Sequence, residues 1–187
     1  SVPGKYPFSP RSYILLNEGS HFTDMTEQFA PELKFPGLVS DALWADFSGD
    51  GKLDLALTGE WMPVRIFENS SEKFTDITER MGLQNETGWF FSLASADMDN
   101  DGDMDLVAGN LGLNYKYQAT HDEPFHGYFH DFDDSGSIDI VLGYFNDGEC
   151  FPLRGRQCSS EQMPFIKERF STYEAFGEAN IRDVYGE

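Results

Sequence analysis

The sequence predicts an all-β protein built from repeated units of short strands, and two landmarks that recur with one period support this. The segment Phe-Thr-Asp-Met-Thr at 22–26 returns as Phe-Thr-Asp-Ile-Thr at 74–78, a shift of 52 residues. An acidic, glycine-containing loop at 46–54 returns at 97–105, a shift of 51 residues, and a third copy follows at 131–139. Self-similarity at a fixed period is the signature of repeat architectures. The unit is clear in two copies and shortened in the third.

Strands are predicted on both sides of each acidic loop. The runs that follow the loops are short, contain β-branched residues and lead to a glycine, which favours buried strands over helices. They lie at 53–57, 104–108 and 138–142, and the runs that precede the loops lie at 42–45, 93–96 and 128–130. Each acidic loop is therefore expected to join two antiparallel strands.

Two further strands complete a unit. An outward strand at 64–67 is followed by a turn of Asn, Ser, Ser and Glu, which leads into a strand around 73–76. Four short strands in roughly 50 residues is typical of one blade of a β-propeller, which has four to eight blades. The predicted units are 13–62, 63–112 and 113–160, giving about three to four blades of a larger propeller.

The two ends of the chain depart from this unit. The N-terminal strands at 13–24 are expected to form the outer half of a blade that begins before Ser1, and exposed blade edges would tend to associate. The tail, 161–187, is expected to hold a short amphipathic helix after Pro164, because Ile166, Phe170 and Tyr173 fall at helical spacing.

Composition limits the classes of partner. The chain has 33 acidic residues against 13 lysines and arginines, a formal net charge of −20. Nucleic acid and anionic membrane surfaces need clustered basic residues, so a cation is the expected partner. Aromatic residues make up 15% of the chain, which argues against disorder. No apolar run approaches the roughly 20 residues of a membrane helix.

Calcium is the cation that the acidic loops predict. Each loop places oxygen-bearing side chains at positions 1, 3, 5 and 9 and glycine at position 6, and the carbonyl of position 7 can add another oxygen. Ca²⁺ takes six to eight oxygen ligands at about 2.3–2.6 Å. The predicted ligands are Asp46, Ser48, Asp50, Lys52 and Asp54 in the first loop, Asp97, Asp99, Asp101, Asp103 and Asp105 in the second, and Asp131, Asp133, Ser135, Ser137 and Asp139 in the third, where Lys52, Asp103 and Ser137 contribute their carbonyls.

Two other interpretations of these loops are weaker. Solvated acidic turns would leave carboxylates about 4 Å apart, which repel by about 4 kcal/mol at an effective dielectric near 20. An EF-hand needs a glutamate at position 12, where this chain has Leu57, Ala108 and Leu142, and flanking helices where this chain has predicted strands. Two to three calcium ions are expected, and the second loop, with four ligand carboxylates, should bind most tightly.

These motifs resemble the FG-GAP/VCBS repeat family of integrin-α-like β-propellers, whose loops read Asp-x-Asp-x-Asp-Gly-x-x-Asp. Further motifs are similar to those of the large exported VCBS-repeat proteins of Bacteroidetes related to cartilage acidic protein. They include Gly-Glu-Trp-Met-Pro at 59–63, Thr-Gly-Trp at 87–89 and Gly-Asn-Leu-Gly-Leu-Asn at 109–114. The resemblance implies a β-propeller, an exported or outer-membrane-associated location and calcium in the acidic loops, and no established reaction.

Other candidate sites are weaker. His121, His126 and His130 cluster in sequence but lack a standard metal-ligand spacing, and Cys150 and Cys158 either form a short-loop disulfide in an oxidising compartment or stay thiols. The three tryptophans are expected to pack in the core more often than to stack on sugars.

The sequence therefore predicts an extracellular or cell-surface calcium-binding module that serves as a scaffold for a protein or glycan partner. No catalytic constellation is identified, so an enzyme is not expected. The alternative is a calcium-dependent carbohydrate-active domain resembling a polysaccharide lyase, for which the sequence offers no strong basic cluster.

Overall fold

The computed structural model describes residues 6–186 and is mostly β-structure. The strands are β1 (Leu15–Asn17), β2 (Phe22–Asp24), β3 (Leu38–Ala45), β4 (Asp54–Pro63), β5 (Arg65–Asn69), β6 (Phe74–Asp76), β7 (Thr87–Ala96), β8 (Asp105–Asn110), β9 (His126–His130), β10 (Asp139–Asn146) and β11 (Glu149–Pro152). The α-helices are α1 (Thr26–Phe29), α2 (Arg156–Gln162), α3 (Phe165–Arg169), α4 (Tyr173–Gly177) and α5 (Ile181–Tyr185), with 3₁₀ turns at Pro31–Leu33 and Gly112–Asn114.

Each acidic loop joins the two strands of an antiparallel hairpin, as the sequence predicts. The hairpins are β3–β4, β7–β8 and β9–β10, and the strand partners next to the loops are Ala45 with Asp54, Ala96 with Asp105, and His130 with Asp139. All three loops therefore occupy the same place in their hairpin, with the ninth loop residue as the first residue of the second strand.

The strands form three sheets. The largest contains the four strands β3, β4, β5 and β6 of one repeat unit, and the distal part of β4 also pairs with β7 of the next hairpin. The order β11-β10-β9 forms a second sheet, and β1 and β2 form a third. No barrel closes among residues 6–186, so the expected propeller ring stays a prediction.

The small β1–β2 sheet repeats the outer strands β5–β6 in detail. Asp24 Oδ1 accepts hydrogen bonds from the backbone N–H and the hydroxyl of Thr26, and Asp76 does the same with Thr78. Each threonine hydroxyl in turn accepts the backbone N–H of an isoleucine, which is Ile14 just before β1 in one copy and Ile66 in β5 in the other. The Phe-Thr-Asp-x-Thr segment is thus a hydrogen-bonding unit that turns the chain out of the second strand.

The short spacing of the third repeat has a structural cause. Residues 111–125 contain a 3₁₀ turn and no strand, so the β7–β8 hairpin lacks the two outer strands that β5 and β6 supply to the preceding unit. The loss of the Phe-Thr-Asp element in this interval, visible in the sequence, matches the absence of those strands from the described residues.

The tail corrects the prediction of a single short helix, because four helices follow β11. Helix α3 begins directly after Pro164, as expected, but it ends at Arg169 instead of continuing to Tyr173. Thr172 starts a new helix by accepting the N–H of Ala175 with its side-chain oxygen. The chain therefore turns between helices where the spacing of apolar residues alone suggests one helix.

The chain divides into two compact units, Ser1–Gly112 and Leu113–Glu187. The first has two buried clusters on its largest sheet, one around Leu55, Leu57 and Phe67 and the other around Ala56 and Ile66. The second buries Val141 of β10 against the tail, and the tail residues of that cluster are Met163, Ile166, Phe176, Ala179, Ile181 and Val184. No helix among the described residues has the length and apolar character needed to cross a membrane.

Candidate metal centre

The first residue of each acidic loop organises the backbone of the turn. Asp97 accepts the N–H groups of the fifth and sixth loop residues with its two oxygens, at 3.2 and 3.1 Å. Asp131 does so at 2.9 and 2.7 Å, and Asp46 at 3.2 and 2.8 Å. The carboxylate is fixed at the centre of the curled loop, where a cation would bind.

Two loop positions have backbone conformations that restrict the residue type. The sixth-position glycines have φ angles of 84°, 100° and 84° in the three loops, which an L side chain rarely adopts. The fourth position also has positive φ, at Gly49, Asn100 and Asp134. This second position is not predicted by the sequence analysis, although glycine, asparagine and aspartate are the residue types that tolerate it.

The ninth residue of each loop ties the turn to the second strand. Asp54, Asp105 and Asp139 each accept the N–H of the second loop residue through Oδ2, at 3.0, 2.8 and 2.9 Å. Asp54 and Asp139 are almost completely buried. A buried carboxylate is costly unless it is hydrogen-bonded or coordinated to a cation.

Three carboxylates converge in the second loop and three in the third. Ligand oxygens of Asp97, Asp99 and Asp105 lie within 4.8 Å of one another, and so do those of Asp131, Asp133 and Asp139. Oxygens that bind the same ion at about 2.4 Å lie no more than about 4.8 Å apart, so the spacing in each group fits one calcium ion. These six residues are predicted ligands at positions 1, 3 and 9.

The fifth-position side chains bond within their own turns. Asp101 Oδ1 accepts the N–H of Asp103 at 2.9 Å, and Ser135 Oγ accepts the N–H of Ser137 at 3.3 Å. Asp101 lies outside the carboxylate group of its loop. In the second and third loops the structure therefore brings together positions 1, 3 and 9. Coordination by position 5 and by the position-7 carbonyls of Lys52, Asp103 and Ser137 stays a prediction.

The first loop does not bring three carboxylates together within the same distance. The Lys52 ammonium lies 2.5 Å from Asp50 Oδ2 and lowers the pKa of Asp50 by hydrogen bonding and by its charge. The Asp54 carboxylate is satisfied by hydrogen bonds instead of a charge, because it accepts the backbone N–H groups of Phe47, Ser48 and Asn69. The Lys52 ammonium group therefore supplies a positive charge next to the carboxylates of this loop.

The third loop separates the acidities of its carboxylates. Burial raises the pKa of Asp131, whereas hydrogen bonds from the N–H groups of Gly136 and Ser135 lower it. The lowering effects together are larger, so the net pKa is below its ordinary value. Burial raises the pKa of Asp139, the Phe132 N–H partly offsets this, and the charges of Asp133 and Asp131 add to the rise. The like charges oppose ionisation of Asp139, and a cation at their centre would favour it.

Two of the three candidate histidines lie among aromatic rings. His126 stacks on Tyr128 with ring centroids 5.7 Å apart, and His130 contacts Phe132 edge-on. Within residues 6–186, neither histidine nor cysteine joins a group of three metal-binding side chains. Both cysteines are free thiols, and burial raises the pKa of Cys150.

The tryptophans are not buried in the core, contrary to the core-packing interpretation, because Trp44 is 48% exposed and Trp61 and Trp89 are only half-buried. Trp44 meets Phe74 at 5.7 Å, and Trp61 meets Trp89 at 5.1 Å, both edge-on. The Trp61 indole N–H donates to the Tyr6 hydroxyl, which donates to Glu60. Burial, together with Glu60, raises the pKa of Tyr6 to about 12, although the Trp61 hydrogen bond acts in the opposite direction.

Comparison with known proteins gave one match. No curated protein and no solved structure matched the chain. The segment matched by a family model includes the first two acidic loops, the outer strands β5 and β6 between them, and the β7–β8 hairpin as far as residue 108. Residues 46–108 match the sequence model of the FG-GAP-like repeat family.

Proposed function

We propose that this chain is a calcium-binding β-propeller module that acts outside the cell as a scaffold for a protein or glycan partner. The observation that supports calcium binding most directly is the pair of three-carboxylate groups, Asp97, Asp99 and Asp105 in one hairpin and Asp131, Asp133 and Asp139 in another. The match to the FG-GAP-like repeat family supports the propeller. Because the motifs around the loops resemble theirs, we also propose that the chain is related to the large exported VCBS-repeat proteins.

The donor chemistry favours calcium over the transition metals and magnesium. All six converging side chains are carboxylates, which are hard ligands, and no imidazole or thiolate joins them among the described residues. Magnesium demands near-ideal octahedral geometry at 2.0–2.1 Å and keeps much of its water. The curled loops with a position-7 carbonyl are better suited to the larger coordination number of calcium.

The proposed location follows from the expected affinity. Asp99 lies at an exposed position, and the carboxylate groups form in short surface turns. Extracellular calcium modules typically have dissociation constants of about 10⁻⁴–10⁻³ M. Such affinity is sufficient where free calcium is millimolar and would leave the sites empty in the cytosol.

In this proposal calcium is structural. The aspartates hold the ion, the ion cancels their mutual repulsion, and the loop then fixes the end of the β7–β8 or β9–β10 hairpin. A ligand at free concentration L that binds only the folded state stabilises it by RT ln(1 + L/Kd), which is about 0.4–1.4 kcal/mol per site for millimolar calcium at these dissociation constants. The rigid turns would then hold the exposed loops of the module in place for a partner.

The proposal is tested by removing one ligand carboxylate from each group. Asp99→Asn and Asp133→Asn should each remove one calcium ion from the count obtained by native mass spectrometry and calorimetric titration of the metal-free protein. Asp103→Asn and Asp134→Asn are matched controls, because they remove the same charge from the same loops without touching a converging side chain. Equal effects of both pairs would show non-specific charge screening and contradict the proposal.

A further inference from the structure

The segment between the second and third hairpins departs from the repeat. In the preceding unit the corresponding interval holds the outer strands β5 and β6, whereas residues 111–125 hold a 3₁₀ turn and no strand. Connections of about 12–15 residues or more with little regular structure are uncommon in compact domains and often serve a function. This segment is therefore the part of the chain where a function beyond completing a blade is expected.

The segment is held against β10 by aromatic side chains. The Tyr117 and Tyr144 rings have centroids 4.4 Å apart, and Tyr115 meets Tyr117 edge-on at 5.5 Å. The Glu123 N–H donates to the Thr120 hydroxyl at 3.0 Å, and the Thr120 N–H donates to the Glu123 carbonyl at 3.1 Å. These contacts give the segment a defined conformation on the β11-β10-β9 sheet.

A small cavity lies between this segment and β10. Apart from one alanine, its lining consists of four aromatic residues, one acid and one amide: Tyr117, Phe125, Tyr144, Phe145, Glu123 and Gln118. Its empty volume is about 180 Å³, below the roughly 300 Å³ at which sites for drug-sized ligands begin. The cavity therefore admits one small chemical group and not a whole sugar chain or cofactor.

The lining favours a small cation. Aromatic rings attract an ammonium group that lies over their faces within about 6 Å of the ring centre, and a carboxylate supplies the opposite charge. No lysine or arginine is present among the described residues that line the cavity, so an anion would lack a charged partner there. The net charge of −20 attracts cations to the chain from a distance as well. Charge and ring chemistry thus select the same kind of ligand.

Two observations on the lining residues support this choice. The Lys116 ammonium nitrogen lies 4.9 Å from the centre of the Tyr117 ring, so this ring already attracts a cation of the chain itself. The Glu123 side chain is half-buried, and within residues 6–186 it accepts no hydrogen bond and forms no ion pair. A carboxylate that loses part of its hydration is costly unless a charge compensates it, so Glu123 can pair with an incoming ammonium group.

We propose that this cavity binds the ammonium group of a lysine side chain from a protein partner, with the Tyr117 and Tyr144 rings against the cation and Glu123 as its ion-pair partner. The inference rests on the proposed scaffold role, for which it selects a protein over a glycan, and it does not depend on calcium. The small volume suits the end of one side chain, and a basic protein is the partner that a strongly acidic chain attracts. A free quaternary ammonium ion has the same chemistry, and a direct comparison of the two kinds of probe separates these sources.

The first test is a titration of the full chain, followed by nuclear magnetic resonance in millimolar calcium chloride. The probe is Nα-acetyl-lysine methylamide, whose ammonium group should bind with a dissociation constant of about 1–10 mM and shift the signals of residues 117–125 and 144–145. The Nε-acetylated form of this probe lacks the charge, and glucose presents a sugar ring instead, so neither should bind. Equal binding of either control, or a clear preference for tetramethylammonium chloride over the lysine probe, would overturn the proposal.

Variants of the lining residues test which groups hold the ammonium. Glu123→Gln should weaken binding of the lysine probe about tenfold, because it removes the charge while keeping the size of the side chain. Tyr144→Leu should weaken it about three- to tenfold, because it replaces the ring with an apolar side chain. Glu174→Gln and Tyr173→Leu are matched controls on α4, where both residues are exposed and lie outside the cavity, and they should leave the affinity unchanged. Equal losses in the control variants would show that this cavity does not hold the probe.

Lys116 provides a variant with the opposite sign. Lys116→Met removes a positive charge beside the Tyr117 ring and should strengthen binding of the lysine probe about threefold, because like charges repel. Unchanged or weaker binding in this variant would contradict the proposed role of the ring.

A calcium count by native mass spectrometry on the same samples separates this inference from the proposed calcium sites. Two bound ions without any binding of the lysine probe would overturn the inference alone. Probe binding without bound calcium would overturn the calcium sites and leave the inference in place.

Discussion

At the scale of single residues, Lys52 makes the first acidic loop different from the other two. Its ammonium group pairs with Asp50, and the pairing raises the pKa of Lys52 as well as lowering that of Asp50. The repeat pattern shows the matched positions of the loops. It does not show that a side chain at position 7 folds back onto position 5.

Lys52→Ala should therefore create an additional calcium site. Removing the ammonium group frees Asp50 and restores the repulsion that a cation relieves, so the ion count should rise from two to three. Lys73→Ala, which removes an exposed lysine from the β5–β6 turn, changes the net charge equally and should leave the count at two. Calorimetric titration with calcium measures both; an unchanged count in Lys52→Ala would contradict this account of the first loop.

Asp76 holds the turn after β6 and should matter for stability. Burial raises its pKa, but hydrogen bonds from Thr78 and Arg65 lower it more, and the net pKa lies below the ordinary 3.8. Asp76→Ala should lower the free energy of unfolding at neutral pH by about 1–3 kcal/mol. The unfolded chain binds the proton first as the pH falls, so this difference should be complete above pH 3.8 and shrink below it. Urea unfolding at several pH values measures this trend.

Asp24 provides the matched control for Asp76. It bonds the same groups of Thr26 and pairs with Arg11, but it is exposed. Because water competes for exposed ion pairs, Asp24→Ala should cost clearly less than Asp76→Ala. Equal losses would mean that burial does not govern the strength of this repeated hydrogen-bonding unit.

At the scale of elements, Gly59 sets the fit between β3 and β4. A Cβ atom at this position would lie 2.0 Å from the Leu38 carbonyl oxygen. This oxygen belongs to the backbone, so a change of side-chain rotamer cannot relieve the clash. Gly59→Ala should destabilise the protein by about 3 kcal/mol or more, the upper end of the cost of overpacking. Gly177→Ala, in helix α4 with nothing within 4 Å, should instead stabilise slightly, since alanine favours helix. Thermal melts of both variants measure these changes in stability. A Gly59→Ala variant that is as stable as the parent protein would contradict the described pairing of β3 with β4.

The hairpins could be predicted from the sequence, whereas only the start of one tail helix, α3, could be. Apolar runs next to Gly-containing acidic loops mark β4, β8 and β10 because buried strands need few residues to give a clear pattern. The tail helices span only five to seven residues each, too few for helical periodicity to show. A local signal was present at Asn180, which forms a capping box with Asp183 at the start of α5.

At the scale of the whole molecule, the net charge of −20 opposes the compact state. Sodium chloride should raise the melting temperature of the metal-free protein by screening this repulsion. Calcium at the same ionic strength should add a further increase, because coordination acts on the converging carboxylates beyond general screening. Scanning calorimetry in sodium, magnesium and calcium chloride at matched ionic strength separates the two effects. Equal melting temperatures in all three salts would mean that only charge screening acts and would contradict calcium coordination.

The repeat order could be read from the sequence, while the pairing of each strand edge could not. The shift of 52 residues identifies β1–β2 with β5–β6, and the structure confirms the same hydrogen bonds in both. Whether a strand finds its partner depends on contacts between distant segments, which a period does not reveal. Leu15 and Val107 are exposed, whereas Phe67 and Ala56 at the corresponding positions of the complete unit are buried. The sequence pattern does not distinguish these two environments.

The most direct test of calcium binding counts ions on the metal-free protein. Native mass spectrometry after calcium addition should show two bound ions, and one ion in either Asp99→Asn or Asp133→Asn. Magnesium at the same concentration should not reproduce these counts, and Asp103→Asn should keep both ions. A protein that binds no calcium, or that loses ions equally in Asp99→Asn and Asp103→Asn, would show that the converging aspartates are solvated turns and not metal sites.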